Sequence, residues 1–401
     1  MRRGFSLFLL LVPALALAAL GVLMVSSTMA RHATATFGDP RHFAVRHLIA
    51  TGVAIVVALA IVRVGPARVL HAAPLLFVAA LLAALAVFVP GVGVRAAGAR
   101  RWLHVGVLSG SPAPILTAAV GLIVAAWGRA RVRGEGERVG LPRAPGAAGT
   151  PAPATRPSAL EALPRRTLAL AMAFIAVLAL VVEPDFSAAA IATAVALTAL
   201  AGLGFRGRRL VLAAAVLVLV LALVASQFGY VGGRLRGFFA PERDRRGKGF
   251  EVLALARATA SATPRGAGLG HGEARRRLSS PGSDYVFAIV TEEMGKTMAL
   301  GVVAAWLCIA ASAVLAARGL GDRRLRAAAL SSGLALVAPA ALHVAVCIGL
   351  VPIIGVTMPL VSYDPAATLA AGAELGVIAA ILLKPSALPA PVQAPDLAGA
   401  G

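Results

Sequence analysis

Ten stretches of the chain are almost entirely apolar, and short polar segments separate them. A helix needs about 20 apolar residues to cross the ~30 Å hydrocarbon core of a bilayer. The pattern therefore predicts an all-α integral membrane protein with ten transmembrane helices. Their predicted bounds are 5–25, 44–63, 73–91, 112–128, 167–183, 186–204, 210–227, 285–315, 327–348 and 366–383.

The polar segments between these stretches divide the chain into six regions. A Pro/Ala/Gly-rich composition is typical of flexible linkers, and a long Arg- and Gly-rich loop is usually functional or disordered. Within that loop, residues 250–262 are predicted to form a short amphipathic helix. The six regions are 1–128 (helices one to four), 129–166 (flexible cytoplasmic linker), 167–227 (helices five to seven), 228–284 (large extracytoplasmic loop), 285–383 (helices eight to ten) and 384–401 (disordered cytoplasmic tail).

The composition supports a membrane protein, with 59% hydrophobic and 14% charged residues. Soluble domains have about 45–50% apolar and ~25% charged residues. The first apolar run is longer than the ~7–15 residues of a signal peptide, which favours an uncleaved first helix. Outside the two long polar segments, 12 basic residues lie on the side of the N-terminus and 6 on the other side. This bias predicts that both termini are cytoplasmic.

The net charge of +21 comes from 38 basic and 17 acidic residues. Because the arginines lie between hydrophobic spans, we expect contacts with anionic lipids or an anionic lipid-linked substrate rather than with nucleic acid. Cys308 and Cys347 are isolated in apolar runs, which indicates neither a disulfide nor a metal site.

Three acids mark the start of the eighth predicted span. Carboxylates in a bilayer are costly, so Asp284, Glu292 and Glu293 are candidates for a functional role. Asp284 also fits a helix N-cap, since Asp is common just before a helix. Glu292 and Glu293 would lie about 12–13 Å further along a continuous helix. We expect Lys296 to neutralise them there, in a structural polar network that also includes Asp185 as a cap of the sixth helix.

Several ordered motifs resemble the SEDS family (shape, elongation, division and sporulation), the polytopic glycosyltransferases of the RodA/FtsW type. The resemblance covers nearly the whole chain and rests on the ordered set of motifs. These are Gly98-Ala99-Arg100-Arg101-Trp102-Leu103, Glu183-Pro184-Asp185-Phe186-Ser187, Arg234 to Asp244, Gly266 to Gly272, Ser283 to Gly295, and Gly349 to Tyr363.

The resemblance implies polymerisation of lipid II into glycan strands at the outer face of the bacterial cytoplasmic (inner) membrane, with a class B penicillin-binding protein (a transpeptidase) as partner. It assigns Asp284 as the catalytic base that activates the acceptor hydroxyl. It leaves a divalent cation (Mg²⁺ or Mn²⁺) open as a cofactor and gives no protein metal ligands. The substrate-binding residues it implies are Arg101, Trp102, Arg234, Arg275, Arg276, Arg277 and Ser362.

Departures from the family pattern keep other functions open. Two family glycines are replaced by Asp364 and Pro365, and the family's Glu and Lys in the fourth span are replaced by Pro114 and Thr117. A lipid-linked precursor flippase, a non-catalytic scaffold for a transpeptidase, and a polymerase of another undecaprenyl-linked sugar remain alternatives. The motif around Pro359 leans towards an elongation role without excluding cell division.

Overall fold

The computed structural model describes residues 2–96, 99–105, 108–127, 165–205, 207–244 and 247–384. The predicted cytoplasmic linker (129–166) and C-terminal tail (384–401) therefore lie outside the described residues, except at their edges. Arg165 and Arg166, expected in the linker, already belong to a helix. Lys384, expected in the tail, donates from Nζ to the carbonyl oxygen of Arg63 at 3.0 Å.

The secondary structure is mostly helical, with one small sheet. In chain order the elements are α1 (Arg2–Thr28), α2 (Ala30–Phe37), α3 (His42–Val64), α4 (Pro66–Leu85), β1 (Gly93–Ala96), β2 (Ala99–Val105), β3 (Leu108–Gly110), α5 (Ala113–Trp127), α6 (Arg165–Val182), α7 (Phe186–Gly202), α8 (Gly207–Ser226), α9 (Gly229–Phe239), α10 (Lys248–Ser261), α11 (Ala274–Arg277), α12 (Val286–Ala317), α13 (Arg323–Cys347) and α14 (Pro365–Leu383).

Each predicted span coincides with an apolar helix, which confirms the helical membrane class. Seven of these helices are long and apolar enough to cross a membrane, and three are shorter: α5, α6 and α7. The chain is therefore a multi-pass membrane protein. The start of the third span was predicted too late, because α4 begins at Pro66, and proline is well suited to the first turn of a helix.

The three-stranded antiparallel sheet was not predicted. Its strand order is β1-β2-β3, and Trp102 on β2 pairs with Val94 on β1. Short strands give only a weak sequence signal beside long apolar helices. The sheet matters for the site because it carries Arg101 and Trp102.

The long connection, residues 228–284, is more structured than the sequence suggested. The predicted amphipathic helix is confirmed as α10, which runs from Lys248 to Ser261. The same segment also contains α9 and α11, and a 3-10 turn at Pro241–Arg243. These elements bring Arg234 and Lys248 close to the start of α12.

Helix α12 is interrupted where the sequence predicted one continuous helix. Gly295 has φ 89° and ψ 166°, which is not helical and is readily accessible only to glycine. A Cβ atom at this position would overlap the carbonyl oxygen of Pro264 in the long connection. The first turns of α12 are thus separated from its membrane-length part, and the long connection packs into the break.

The C-terminal helix α14 is the most enclosed of the candidate spans. In its most apolar window 72% of residues are buried, against 6% in α8. Gly372 allows α14 to approach α3 closely, since a Cβ there would meet the carbonyl of Ala54. This close packing fixes α14 as one wall of the cavity described next.

Candidate functional site

A cavity of about 300 Å³ lies among α5, α7, α13 and α14. Small and apolar side chains form most of its inner wall. Polar and charged groups from distant parts of the chain converge on it. The charged groups and the tryptophan among its lining residues are Arg101, Trp102, Asp185, Arg234, Asp284, Asp364 and Glu374.

Asp284 reaches the cavity from a tight turn just before α12. Its backbone N–H donates to the carbonyl oxygen of Ser280 at 3.1 Å. Ser362 Oγ donates to the carbonyl oxygen of Ser283 at 2.6 Å, and the Tyr363 N–H donates to that of Gly282 at 2.8 Å. The turn is therefore fixed from outside, and the half-buried carboxyl group lines the cavity.

The surroundings of Asp284 favour its neutral form more than water does. Burial raises the pKa of Asp284, while a hydrogen bond from Ser283 and the charges of Lys248 and Arg234 oppose the rise. A raised carboxyl pKa suits proton transfer near neutral pH, because a catalytic base works best with a pKa close to the operating pH.

Arg101 and Arg234 gather around the ring of Tyr230 at the cavity. Their Cζ atoms lie 5.9 and 5.1 Å from the ring centroid. The Tyr230 hydroxyl donates to the carbonyl oxygen of Pro184 at 2.9 Å, and Arg101 donates to the same oxygen and to that of Glu183 at 3.3 Å. Burial, and then the charge of Arg101, lowers the pKa of Arg234. Two neighbouring guanidinium groups form a site suited to a phosphate-type anion.

Asp185 and Trp102 also line the cavity. Asp185 caps α7, as predicted: its Oδ1 accepts from the Ala188 N–H at 3.0 Å and from Ser187 Oγ at 2.8 Å. Trp102 is half-buried on β2. Its ring is thus placed against the cavity by the sheet that the sequence did not predict.

Two acids at the cavity were not among the predicted site residues. Asp364 caps α14, accepts from Thr357 Oγ1 at 3.1 Å, and has its pKa raised to about 6 by burial. Glu374 is only 3% exposed on α14. An Asp-Pro pair is a recognisable helix start, and an acid within a span is a functional candidate, so both signals were available. No sequence pattern marked Tyr230 as a site residue.

The structure does not bring four of the predicted binding residues into the cavity. Arg275, Arg276 and Arg277 form the short helix α11, where Arg277 pairs with Glu273 at 2.7 Å and Arg276 is exposed. Ser362 is buried behind the Asp284 turn and accepts from the Met358 N–H at 2.9 Å. These four residues therefore do not line the cavity beside Asp284, because α11 packs away from it and Ser362 Oγ is bonded to backbone groups. Their role in binding substrate stays a prediction.

The prediction that Lys296 neutralises Glu292 and Glu293 is wrong. The break at Gly295 ends the helical spacing on which it depended, and Lys296 is exposed. Glu293 instead accepts from the backbone N–H groups of Gly270 at 2.8 Å and Gly272 at 3.3 Å.

Arg275 and the glycine-rich loop complete this polar network. Arg275 lies 3.7 Å from Glu293 Oε1. Glu292 accepts from the backbone N–H groups of Glu273 and Ala274, each at 3.0 Å. Gly266, Gly268 and Gly270 have positive φ, so the loop they form curls round the acids. The structural role expected of the two glutamates fits this arrangement.

The described residues contain no group of three or more His, Cys, Asp or Glu side chains placed to hold a metal ion. The divalent cation left open by the sequence therefore has no protein ligand set in the part of the chain that the structure describes. The positive charge that faces the cavity comes from Arg101 and Arg234.

Comparison with protein families and known sequences gives consistent results. The model of the FtsW/RodA/SpoVE family, described as cell cycle proteins, matches residues 7–386. The probable peptidoglycan glycosyltransferase FtsW of Alkalilimnicola ehrlichii is 31% identical over 374 residues, covering 91% of this chain and 86% of the relative. The protein of that name from Halomonas elongata is 30% identical over 376 residues, covering 92% and 88%.

Two solved structures share the fold. A chain from a structure on the coordination of polymerisation and crosslinking by a peptidoglycan synthase complex has a TM-score of 0.70 at 19% identity, covering 94% of this chain and 98% of that one. The rod shape determining protein RodA of Thermus thermophilus has a TM-score of 0.62 at 19% identity, covering 94% and 96%.

Proposed function

The chain belongs to the FtsW/RodA/SpoVE family, and on that premise we propose that it is a peptidoglycan glycosyltransferase that polymerises lipid II into glycan strands. The observation that carries the proposal is the convergence of Asp284, Arg101 and Arg234 on one cavity. A base and an anion site side by side are what glycosyl transfer from a lipid diphosphate requires.

Asp284 is the base in this mechanism. Its carboxylate removes the proton from the acceptor sugar hydroxyl as that oxygen attacks the anomeric carbon of the donor. The bond from that carbon to the lipid diphosphate breaks at the same centre. A positioned base of this kind contributes about 10²–10⁴-fold to the rate.

The leaving diphosphate gains negative charge, and Arg101 and Arg234 stabilise it. Fixed positive groups in a site shielded from water stabilise developing charge more strongly than they would in water. The contacts of both side chains with Tyr230 hold them in place before substrate arrives. Trp102, at the same cavity, contributes an apolar surface for the lipid-linked substrate.

We place the long connection on the outer side of the bacterial cytoplasmic membrane and both termini on the cytoplasmic side. The basic-residue bias of the short loops supports this orientation. The partners we propose are lipid II, anionic lipids and a class B penicillin-binding protein that crosslinks the product. The structural relative from a peptidoglycan synthase complex supports such a transpeptidase partner.

Polymerisation of purified lipid II by the purified protein, with and without a partner transpeptidase, tests this proposal. We expect glycan chains from the wild type and none from Asp284→Ala. The matched control is Asp39→Ala, since Asp39 is exposed and does not line the cavity. A folded wild-type protein that forms no polymer under either condition would contradict the proposal.

A lipid-linked precursor flippase is the second candidate, and Glu374 is the observation that favours it. Buried acids lining a cavity within the helices are typical of transport pathways. Lipid scrambling in vesicles that survives Asp284→Ala but is lost in Glu374→Gln would support transport over polymerisation.

A further inference from the structure

Glu251 on the first turn of α10 is a buried acid that the proposed mechanism does not use. It is 7% exposed. Its Oε2 accepts from Lys248 Nζ at 2.6 Å and from the Tyr285 hydroxyl at 2.9 Å, and its Oε1 accepts from Ser279 Oγ. A buried charge is tolerated only when it is paired and hydrogen-bonded, and these three donors satisfy it.

Two of the three donors are the ends of the segment that carries Asp284, residues 279–285. Ser279 and Tyr285 bind one carboxylate that belongs to a different element. Inside the segment, Asp284 and Ser283 donate to the carbonyl oxygen of Ser280 at 3.1 and 3.3 Å. So short a turn is fixed mainly by its outside contacts, and Glu251 supplies the contacts on the side of the long connection.

The third donor, Lys248, links Glu251 to the charged groups around Asp284. Several titratable groups interact electrostatically with Asp284. They are Lys248 and Glu251 on α10, Arg234 on α9, the adjacent Tyr285, Asp364 at the start of α14 and Cys347 at the end of α13. Lys248 favours the ionised form of Asp284, and Glu251 disfavours it. Their mutual ion pair therefore moderates both effects.

Burial disfavours the charge of Glu251, but hydrogen bonds from Lys248 and Ser279 outweigh it and hold the pKa of Glu251 below its ordinary value. The folded protein therefore favours the ionised form of Glu251. Its negative charge and its two hydrogen bonds to the segment are features of the folded protein.

We propose that Glu251 is a positioning residue for Asp284: it clamps both ends of residues 279–285 and holds the Lys248 ammonium in an ion pair beside the base. This inference rests on the proposed function, because it assigns Asp284 as the base. It also couples the long connection to the chemistry, since a movement of α10 would move the base.

Two substitutions test the electrostatic effect of Glu251 and Lys248 on Asp284, because they should shift the pH profile in opposite directions. Glu251→Gln keeps an acceptor oxygen but removes the negative charge, which lowers the pKa of Asp284. The acid limb of kcat for lipid II polymerisation should then move to lower pH by about one unit. Lys248→Met removes the positive charge and should move the limb to higher pH. Glu242→Gln, at an exposed acid of the same connection, should leave the profile unchanged.

The clamp has a readout that does not depend on activity. Glu251→Ala should increase hydrogen–deuterium exchange of the 279–285 peptide and lower kcat by about 100-fold with little change in KM. Glu251→Gln should restore most of the wild-type protection, because its amide oxygen can accept from the Tyr285 hydroxyl and its amide N–H can donate to Ser279 Oγ. Equal exchange in Glu251→Ala and wild type, or pH shifts of the same sign in Glu251→Gln and Lys248→Met, would overturn the inference. A wild type that makes no polymer would instead contradict the proposed function, and the exchange result would still decide the clamp.

Discussion

Asp284 and Glu293 lie nine residues apart in the chain, yet the structure uses them in different ways. Asp284 lines a cavity of about 300 Å³ that also contains Arg101 and Arg234. The Glu293 side chain is fully buried, and both of its oxygens accept hydrogen bonds from backbone N–H groups. One carboxyl group faces a space that a substrate can enter, and the other is already occupied by fixed donors.

Within one acidic stretch, Asp284 is thus suited to proton transfer and Glu293 to stabilising the fold. A carboxylate held by backbone N–H groups and an arginine cannot accept a substrate proton without giving up those bonds. A carboxylate that faces a cavity can do so at little structural cost. Exposure to the cavity and free acceptor capacity, rather than residue type, therefore favour Asp284 over Glu293 as the proposed catalytic base.

The largest effect on stability is expected where Glu293 is removed. Glu293→Ala leaves the Arg275 charge and two backbone N–H groups without their partner, which should lower the free energy of unfolding by about 3–5 kcal/mol. Thermal or denaturant unfolding of the protein in detergent measures this change. Glu273→Ala, which breaks the exposed pair with Arg277, is the matched control and should change it by only about 0–1 kcal/mol. Equal losses of unfolding free energy in the two variants would contradict a specific stabilising role for Glu293.

A smaller loss is expected at the break that allows the glycine-rich loop to reach Glu293. Gly295→Ala puts a side chain at φ 89° against the carbonyl of Pro264, and should cost about 2–3 kcal/mol. Gly301→Ala is the control in the same helix, where a Cβ meets nothing within 4 Å. It should be neutral or stabilising by up to ~1 kcal/mol. The same unfolding measurement compares the two variants, and a neutral Gly295→Ala would contradict the role of the break.

The smallest effect is expected on substrate binding at the cavity. Arg234→Gln removes one of two guanidinium groups that face the diphosphate before and during its departure. It should lower kcat/KM for lipid II about tenfold, in part through a higher KM, since a charge-assisted hydrogen bond contributes about 1.5 kcal/mol. Arg236→Gln, an exposed arginine on the same helix, should leave kcat/KM unchanged. Initial rates at varied lipid II concentration distinguish the two variants. Equal effects would mean that Arg234 acts only as part of a diffuse positive surface.

The hydrophobic pattern was enough to predict the helices, because each must present about 20 apolar residues to lipid. It could not show the break at Gly295, since one glycine within an apolar run leaves the pattern unchanged. It also missed β1 to β3, whose short strands lie between much stronger helical signals. The bounds of α10 were predicted well because its apolar residues recur at helical spacing.

Part of the candidate site was predictable from sequence motifs. Asp284, Arg101 and Arg234 were found from motifs, and the structure brings all three to one cavity. Arg275 lies apart from these three residues, and its pairing with Glu293 could not be predicted because it is a tertiary contact. Tyr230 and Glu251 were missed, since each acts through contacts with residues far away in the chain.

The most direct test measures activity and stability together in Asp284→Asn and Glu293→Gln. Both changes are nearly isosteric, and each removes one negative charge. We predict that Asp284→Asn lowers lipid II polymerisation by about 10²–10⁴-fold while its thermal unfolding matches the wild type. Glu293→Gln should unfold at lower temperature, but its folded fraction should polymerise within a few-fold of the wild-type rate. Wild-type turnover by Asp284→Asn, or abolished turnover by a stable Glu293→Gln, would contradict the division between the two acids.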